Sequence, residues 1–426
     1  MVSEEGKPIK IIYPGRATDD QGADFRDAVI ASGRELIKGD IEVHVKSSDW
    51  QNHGHHHDRI YNRVILHVVM WHDINKTATN LENGENIPII VLNKYIKNQI
   101  SQPHRAGSLN MPCLKASEHL PTDFKAEFLD SAGEKRFLAK AAKFQAELAQ
   151  TEASQVLYQG IMGALGYSKN KLPFLKLARG LPLQILESVT QGKISDEECL
   201  ARQQALLLGT AGLLPPQRLD SSQSNKLEDK WGDKLKRLWG SFHLTETMSP
   251  CAWHLFKVRP NNFPIRRLVA MSYLILRYRE KGLFEELVNM VKEVPLSQGH
   301  RRLEKGLMVT ADGYWASHLD FGLTSKVRNP TLLGNRRAAD IAVNVLLPFT
   351  FAWGKVTSQP QTESKAFNLY HCYPKLVKNT IERHMMNQLG LSDSLVNSAQ
   401  RQQGLIHIYK SLCTQGRCNC CSLGAV

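Results

Sequence analysis

The densest chemistry in the chain lies between residues 40 and 73. Asp40, Glu42, His44 and Lys46 alternate with Ile41, Val43 and Val45. Side chains on a β-strand switch faces with period two, so this alternation lines up two carboxylates, an imidazole and an ammonium on one face. A knot of His53, His55, His56, His57 and Asp58 follows, and then His67 within the apolar run Val64 to Val69. Seven of the sixteen histidines fall in this stretch. Imidazoles and carboxylates at such density suit Zn²⁺, Mn²⁺ or Fe²⁺, or proton transfer, because imidazole titrates near neutral pH. The plainer alternatives are an ion-paired strand face, a polar loop without a ligand and, for His67, a hydrogen-bonded core residue. Asp49-Trp50 and Asp58 to Tyr61 have the residue types to anchor the loop by packing and capping.

Asp24 stands eighteen residues before Glu42, in Gly22-Ala23-Asp24-Phe25 at the start of an expected strand. Two carboxylates on neighbouring strands can hold Mg²⁺ or Mn²⁺, and hydrolysis of a phosphodiester needs such an ion to offset phosphate charge and to supply a hydroxide-like nucleophile. With Lys46 on the same face, the layout resembles that of the restriction-endonuclease-like nucleases. The resemblance implies Asp24 and Glu42 as metal ligands and Lys46, with His44, as the groups that orient the attacking water. It is partial: that superfamily has lysine two residues after the glutamate, where this chain has His44, and proline before the aspartate, where it has Ala23.

A third group is Cys413, Cys418, Cys420 and Cys421, four of the eight cysteines in the last fourteen residues. Thiolates so close can bind Zn²⁺ or an iron–sulfur cluster. Adjacent Cys420 and Cys421 cannot easily both reach one ion, so a further ligand is expected from elsewhere, with Cys372 and Cys251 as candidates. Several nucleases of the type above carry a four-cysteine iron–sulfur staple with three cysteines near the C-terminus, a likeness that favours metal over a frayed tail. A fourth group is basic: Lys257, Arg259, Arg266 and Arg267 around Phe263, and Arg336 with Arg337. Phosphate contact at a helix N-terminus is the functional reading; helix capping and surface charge is the plain one.

The elements that must position these groups fall into two kinds. Residues 8 to 100 read as β-rich: Ile9 to Tyr13, Ala28 to Ala31 paired with Leu36 to Lys46 across Ser32-Gly33, Tyr61 to Trp71, and Ile87 to Leu92. Residues 98–125 read as a linker. Beyond it the apolar spacing is helical, with helices expected over 127–166, 173–190, 196–210, 224–240, 263–279, 282–293, 336–350, 375–389 and 392–413, and a break near Asn329-Pro330. Asp196 before Glu197 and Glu198 marks a capped helix start. The expected class is α+β. A mixed β domain over 1–125 carries the Asp/Glu/His/Lys site, a basic helical body spans 126–412, and a cysteine-rich tail spans 413–426.

Bulk properties bound the function. The chain has 426 residues and a net charge of +13, and the excess is uneven. Residues 1–125 hold 15 Lys/Arg against 16 Asp/Glu, and the remainder holds 39 against 25. A basic body beside an acid-dotted unit fits DNA or RNA as partner, and equally a basic surface with no specific partner. No apolar run of about 18 residues occurs and the N-terminus is polar, so a membrane partner is not expected and a cytoplasmic location is.

Stretches along most of the chain carry a second resemblance: GADFRDA (22–28), GDIEVHVKSSDWQNHGHHHDRIYNRVILHVV (39–69), ALGYSKNKLPFLKLARGLPL (164–183), KVRPNNFP (257–264), LLGNRRAADIAVNVLLPF (332–349) and QGLIHIYKSLCTQGRCNCC (403–421). By these the chain is identified as a member of a bacterial family, domain of unknown function 2851. The resemblance implies that the two halves form one protein, and that Cys413, Cys418 and Cys421 fit the family's cysteine signature with Cys420 as an extra. It implies no activity. Three readings compete: a metal-dependent nuclease built on Asp24 and Glu42, a non-catalytic nucleic-acid-binding protein with a degenerate nuclease fold, and a His/Asp metalloenzyme of another substrate.

Overall fold

A computed structural model describes all residues except 19–21, 97–112, 114–116, 216–228, 243–245, 326, 327, 329 and 424–426. Most of the expected linker over 98–125, the first turn of the helix expected at 224–240, and Asn329 therefore lie outside the described residues. The fold is α+β, an N-terminal mixed sheet followed by a mostly helical body. The chain divides into two compact units: residues 1–134, 378–397 and 401–426 form the first, and residues 135–377 with 398–400 form the second. This differs from the expected division, because the helices near 380–411 and the cysteine tail pack with the sheet. Helical periodicity shows that a helix has an apolar face; it does not show what that face meets.

The sheet of the first unit comprises β1 (Ile9–Tyr13), β2 (Arg16–Ala17), β3 (Phe25–Ser32), β4 (Glu35–Lys46), β5 (Val64–Trp71), β6 (Ala78–Asn80) and β7 (Asn86–Val91). Its order is β1-β3-β4-β5-β7-β6, with β2 paired to β3. The β3/β4 hairpin turns where expected. Ser32 faces Glu35, and Gly33 supplies the positive φ of +63° that the two-residue turn requires. The central pairs β4/β5 and β5/β7 are parallel and the others antiparallel.

Parallel strands are covered on both faces and so read as nearly continuous apolar runs, as Val64 to Val69 and Ile87 to Val91 do. One face buries Ile9, Ala28, Ile30, Ile41, Leu66 and Ile90 together. The other packs Ala23, Val64, Leu81 and Ile87 around Trp50. A third core joins Tyr13 and Val29 to Leu129, Met385, Leu389, Leu405, Ile408 and Tyr409. It is fixed by a two-pronged pair of Arg401 with Asp130 at 2.9 and 3.0 Å, and by a capping box between Asn379 and Glu382 at the start of helix Thr380–Leu389.

The second unit is helical around one large core that includes Phe137, Leu157, Phe174, Leu207, Leu268, Leu287, Trp315, Leu346 and Phe349. The helix at Asp196–Thr210 begins as expected, with the neighbouring residue as its cap. Ser195 accepts from the N–H of Glu198, and Asp196 sits in the first turn. The stretch expected as one helix over 336–350 runs as Asn335–Ile341 and Leu347–Val356 joined by a π-helical turn, Ala342–Leu346. Helices Gly299–Leu307 and Pro360–His371 and the short ribbons Val309–Thr310/Thr331–Leu333 and His318–Asp320/Leu323–Thr324 were not legible from periodicity. Among the described residues no helix is long and apolar enough to cross a membrane.

Candidate metal centre

Glu42 and His44 project from β4 on the face away from Ile41, and the parallel register sets His67 of β5 beside Glu42. All three are buried. Asp24 lies immediately before β3 and is half-buried. It and Glu42 are interlocked: the Asp24 N–H donates to Glu42 Oε2 at 3.0 Å, and the Val43 N–H donates to Asp24 Oδ2 at 3.1 Å. The other oxygen, Glu42 Oε1, faces His55 Nε2 at 3.4 Å and His44 Nε2 at 3.6 Å.

The loop between β4 and β5 brings in the remaining imidazoles. The Asp73 carboxylate ties down its start by accepting from Ser47 Oγ, the Ser48 N–H and Ser48 Oγ. Trp50 is buried under the sheet and its indole N–H donates to the carbonyl of Asn80. Gly54, at φ +74°, reverses the chain between His53 and His55 so that both point back to β4. His55 lies against the Tyr61 ring with centroids 3.8 Å apart. Asp58 accepts from the Ile60 N–H at 3.0 Å and so caps the turn Arg59–Tyr61. The ligand nitrogens of His44, His53 and His55 all lie within 4.8 Å of one another.

A relay sets the tautomers. His44 Nδ1 is 2.9 Å from His67 Nε2, and His67 Nδ1 is 2.8 Å from Thr79 Oγ1. With Thr79 Oγ1 assigned as acceptor, His67 donates from Nδ1 and accepts from His44, which leaves the His44 Nε2 lone pair directed at Glu42 and His53. Metal-bound histidines are commonly fixed in this way through their second nitrogen.

The electrostatics follow from burial. Desolvation, with the Asp24 charge second, pushes the Glu42 carboxyl up to about 7. Burial holds the imidazoles of His44 and His55 down at about 4 and that of His67 at about 3, with neighbouring histidines adding to the effect. The three rings are therefore neutral at pH 7, the form in which imidazole binds a metal.

The structure thus gathers Asp24, Glu42, His44, His53, His55 and His67. Other expected site residues stand apart. Lys46 is exposed at the end of β4, and among the described residues no ion pair joins it to either carboxylate. The rings of His56 and His57 lie against each other, tilted by 41° with centroids 3.8 Å apart, and Asp58 is occupied as a cap. Trp50, Tyr61 and Thr79 support the centre; the first two carried a signal as loop anchors, while Thr79, on β6, carried none.

Three of the six basic residues expected to meet phosphate serve the interior of the second unit. Arg266 has 0% exposure and donates to the carbonyls of Trp315 and Thr331, at 3.1 and 3.2 Å, and to that of His318. Arg267 is buried and donates to the Leu332 carbonyl and to the Tyr167 hydroxyl. Arg337 stacks on the Tyr167 ring at 3.3 Å and pairs with Asp340. Guanidinium groups spent on carbonyls and a ring cannot also hold a polyanion. Lys257, Arg259 and Arg336 are exposed.

Cys251 and Cys372, the candidates for a further thiolate, are exposed residues of the second unit. The thiol gathered with those of the tail is instead Cys113, which no spacing singled out.

An α+β protein with a histidine-and-carboxylate centre in its sheet unit is the class that these features define. Residues 1–378 match the model of the family described as protein of unknown function, DUF2851, and the chain belongs to that family. The match ends before the stretch 403–421 that contributed to the resemblance in sequence. No curated protein and no solved structure matches the chain.

Proposed function

We propose that this protein is a metal-dependent hydrolase of phosphodiester bonds, with nucleic acid as its substrate. Glu42, His44, His53 and His55 would hold the ion. The observation that carries the reading is the meeting of Glu42 Oε1 with His44 Nε2 and His55 Nε2 inside the cluster of three imidazoles. Donors of this kind suit Mn²⁺, Zn²⁺ or Fe²⁺ better than Mg²⁺, which prefers oxygen. An ion held there supplies a hydroxide-like nucleophile at neutral pH and offsets charge on the phosphate.

The chain's own residues do the rest. Asp24 holds the Glu42 carboxylate by its N–H and the β4 backbone by its carboxylate, so it positions the ligand. His67 and Thr79 orient His44. Tyr61 and Trp50 wall His55 with apolar surface, and the exposed His53 marks the open side of the centre. The aspartate before β3 with the glutamate on β4 keeps the two-carboxylate layout that resembles the nucleases, with His44 where a lysine would stand. The net charge of +13 fits a polyanionic substrate, with the basic excess carried outside residues 1–125.

The test is cleavage of single- and double-stranded DNA and RNA by the purified chain with Mn²⁺, Zn²⁺ or Mg²⁺ added. Cleavage that needs metal and is lost in Glu42→Gln and His55→Ala supports the proposal. Salt-dependent binding without cleavage favours the non-catalytic reading. Tightly bound metal with neither activity favours a metalloenzyme of another substrate.

A further inference from the structure

The first unit has a second gathering of metal-ligating groups, distinct from the histidine centre. Cys413 and Cys421 are buried in the core formed with Tyr13, Leu389 and Tyr409, and Cys113 packs against the same core. One side-chain amide reaches two of the sulfurs: Gln388 Nε2 is 3.5 Å from Cys113 Sγ and 3.8 Å from Cys413 Sγ.

The tail is folded to present its thiols. Turns at Cys413–Gln415 and Cys418–Cys420 follow helix Ala399–Ser411. The Gly416 N–H donates to the Cys413 carbonyl and the Cys421 N–H to the Cys418 carbonyl, both at 3.1 Å. Gly416 has φ +67°, and a Cβ there would stand 3.0 Å from Val29, so the tight return against β3 requires glycine. Burial pushes the Cys413 thiol up, and the neighbouring thiols of Cys421, Cys113 and Cys418 add to the effect. The Cys420 sulfur turns to the Asn419 side chain; Cys420 is exposed, as Cys418 is.

We infer that Cys113, Cys413, Cys418 and Cys421 form a four-thiolate site for a thiophilic metal centre, a zinc ion or an iron–sulfur cluster, that fastens Cys113 to the turns after helix Ala399–Ser411. Four cysteine thiolates are a complete ligand set for either. The Gln388 N–H groups are placed to donate to two of the sulfurs, the outer contact that orients and tunes thiolate ligands. Ordinary core packing explains a single buried cysteine. It does not explain a thiol from 300 residues upstream meeting those of the tail, with one side-chain amide on two of the sulfurs. No three of the described cysteine sulfurs lie as close together as the imidazole nitrogens of the histidine centre.

The experiment uses the full chain, expressed with iron and zinc and purified without oxygen. Iron, acid-labile sulfide and zinc are measured per chain, and Co²⁺ is added to stripped protein so that a sulfur-to-cobalt charge-transfer band reports thiolate ligation apart from the histidines. The expected result is one centre per chain. Iron with sulfide and visible absorption identifies a cluster; zinc without colour, replaced by Co²⁺ with the charge-transfer band, identifies a zinc site. Cys113→Ser and Cys413→Ser lose most of the metal and the band, while Cys420→Ser and Cys372→Ser keep both. Retained far-UV circular dichroism and Mn²⁺ binding at the histidine centre show that Cys113→Ser is folded. Wild-type protein without either metal form and without the cobalt band, a disulfide among these cysteines in its place, or full metal content in folded Cys113→Ser would each overturn the site.

Discussion

Glu42 and Asp24 each hold the other's backbone: Glu42 Oε2 accepts from the Asp24 N–H at 3.0 Å, and Asp24 Oδ2 accepts from the N–H of Val43, the residue after Glu42, at 3.1 Å. The two carboxylates are thereby fixed beside each other at the open end of the β3/β4 hairpin, and one Glu42 oxygen is left to face the imidazoles. Glu42→Gln keeps an oxygen acceptor for the Asp24 N–H and removes a charge whose burial is unfavourable. This variant is expected to unfold at the same or a higher temperature than wild type in the presence of a chelator, and to bind Mn²⁺ at least about 10-fold more weakly. Thermal melts and metal titration of one preparation check both, and unchanged affinity would contradict the role of Glu42.

Asp24 tests positioning. Asp24→Asn can still accept from the Val43 N–H; Asp24→Ala leaves that donor without its partner, at a cost of about 1–3 kcal/mol. Urea denaturation should therefore rank wild type and Asp24→Asn above Asp24→Ala. Equal stability of the alanine and asparagine variants would remove the interlock from the explanation.

Thr79 lies outside the cluster and still bears on it. Thr79→Val leaves fully buried His67 Nδ1 unpaired, with an expected loss of about 1–3 kcal/mol in stability. It also frees the tautomer of His44, so metal affinity should fall by roughly 10–100-fold. A stability loss with metal affinity intact would mean that the relay is structural alone.

Acid sensitivity follows from the imidazoles. Their folded values, about 4 for His44 and His55 and about 3 for His67, lie below the ordinary 6.5. Between those values the unfolded chain binds more protons, so the stability they contribute is present above pH 6.5 and is lost as pH falls. Glu42, raised from 4.5 to about 7, acts in the opposite sense: its contribution is present below 4.5 and lost as pH rises through 7. Three groups outweigh one, and chelator-treated protein should gain stability as pH rises from 4 to 6.5. Melting temperatures that are flat or fall across this window would show that the rings are not held neutral by burial.

Arg266 separates a packing role from a nucleic-acid role. Arg266→Lys cannot reproduce the guanidinium fork and should cost roughly 1–3 kcal/mol for each carbonyl left unpaired. At a temperature where the variant is folded, its affinity for nucleic acid should match wild type. A folded variant with lost affinity would reverse the assignment.

Much of the sheet was legible because β-hairpins announce themselves locally. Alternation from Asp40 to Lys46, a glycine turn at 33 and apolar runs at 64–69 and 87–91 are short-range signals. The conjunction of Asp24 with Glu42 was legible because both belong to one hairpin. The choice among the histidines was not: which of His53, His55, His56 and His57 turn inward depends on Gly54 and on the anchorage of Trp50 and Asp73. Lys46 shared the period-two face of Glu42, yet the strand end carries it into solvent. Arg266 and Arg267 looked like surface charge because carbonyls that recruit guanidinium groups carry no sequence mark. Cys113 was missed for the same reason, since sequence distance hides a meeting that only the packing of the helices near 380–411 against the sheet unit brings about.

The most direct measurement is anomalous diffraction from crystals soaked in Mn²⁺ or Zn²⁺. A metal at the centre requires a strong peak within bonding distance of Glu42 Oε1 and of nitrogens from His44, His53 and His55, absent in crystals of Glu42→Gln soaked alike. Wild-type crystals without a peak there, or with the ion bound elsewhere, would contradict a metal centre on this strand face.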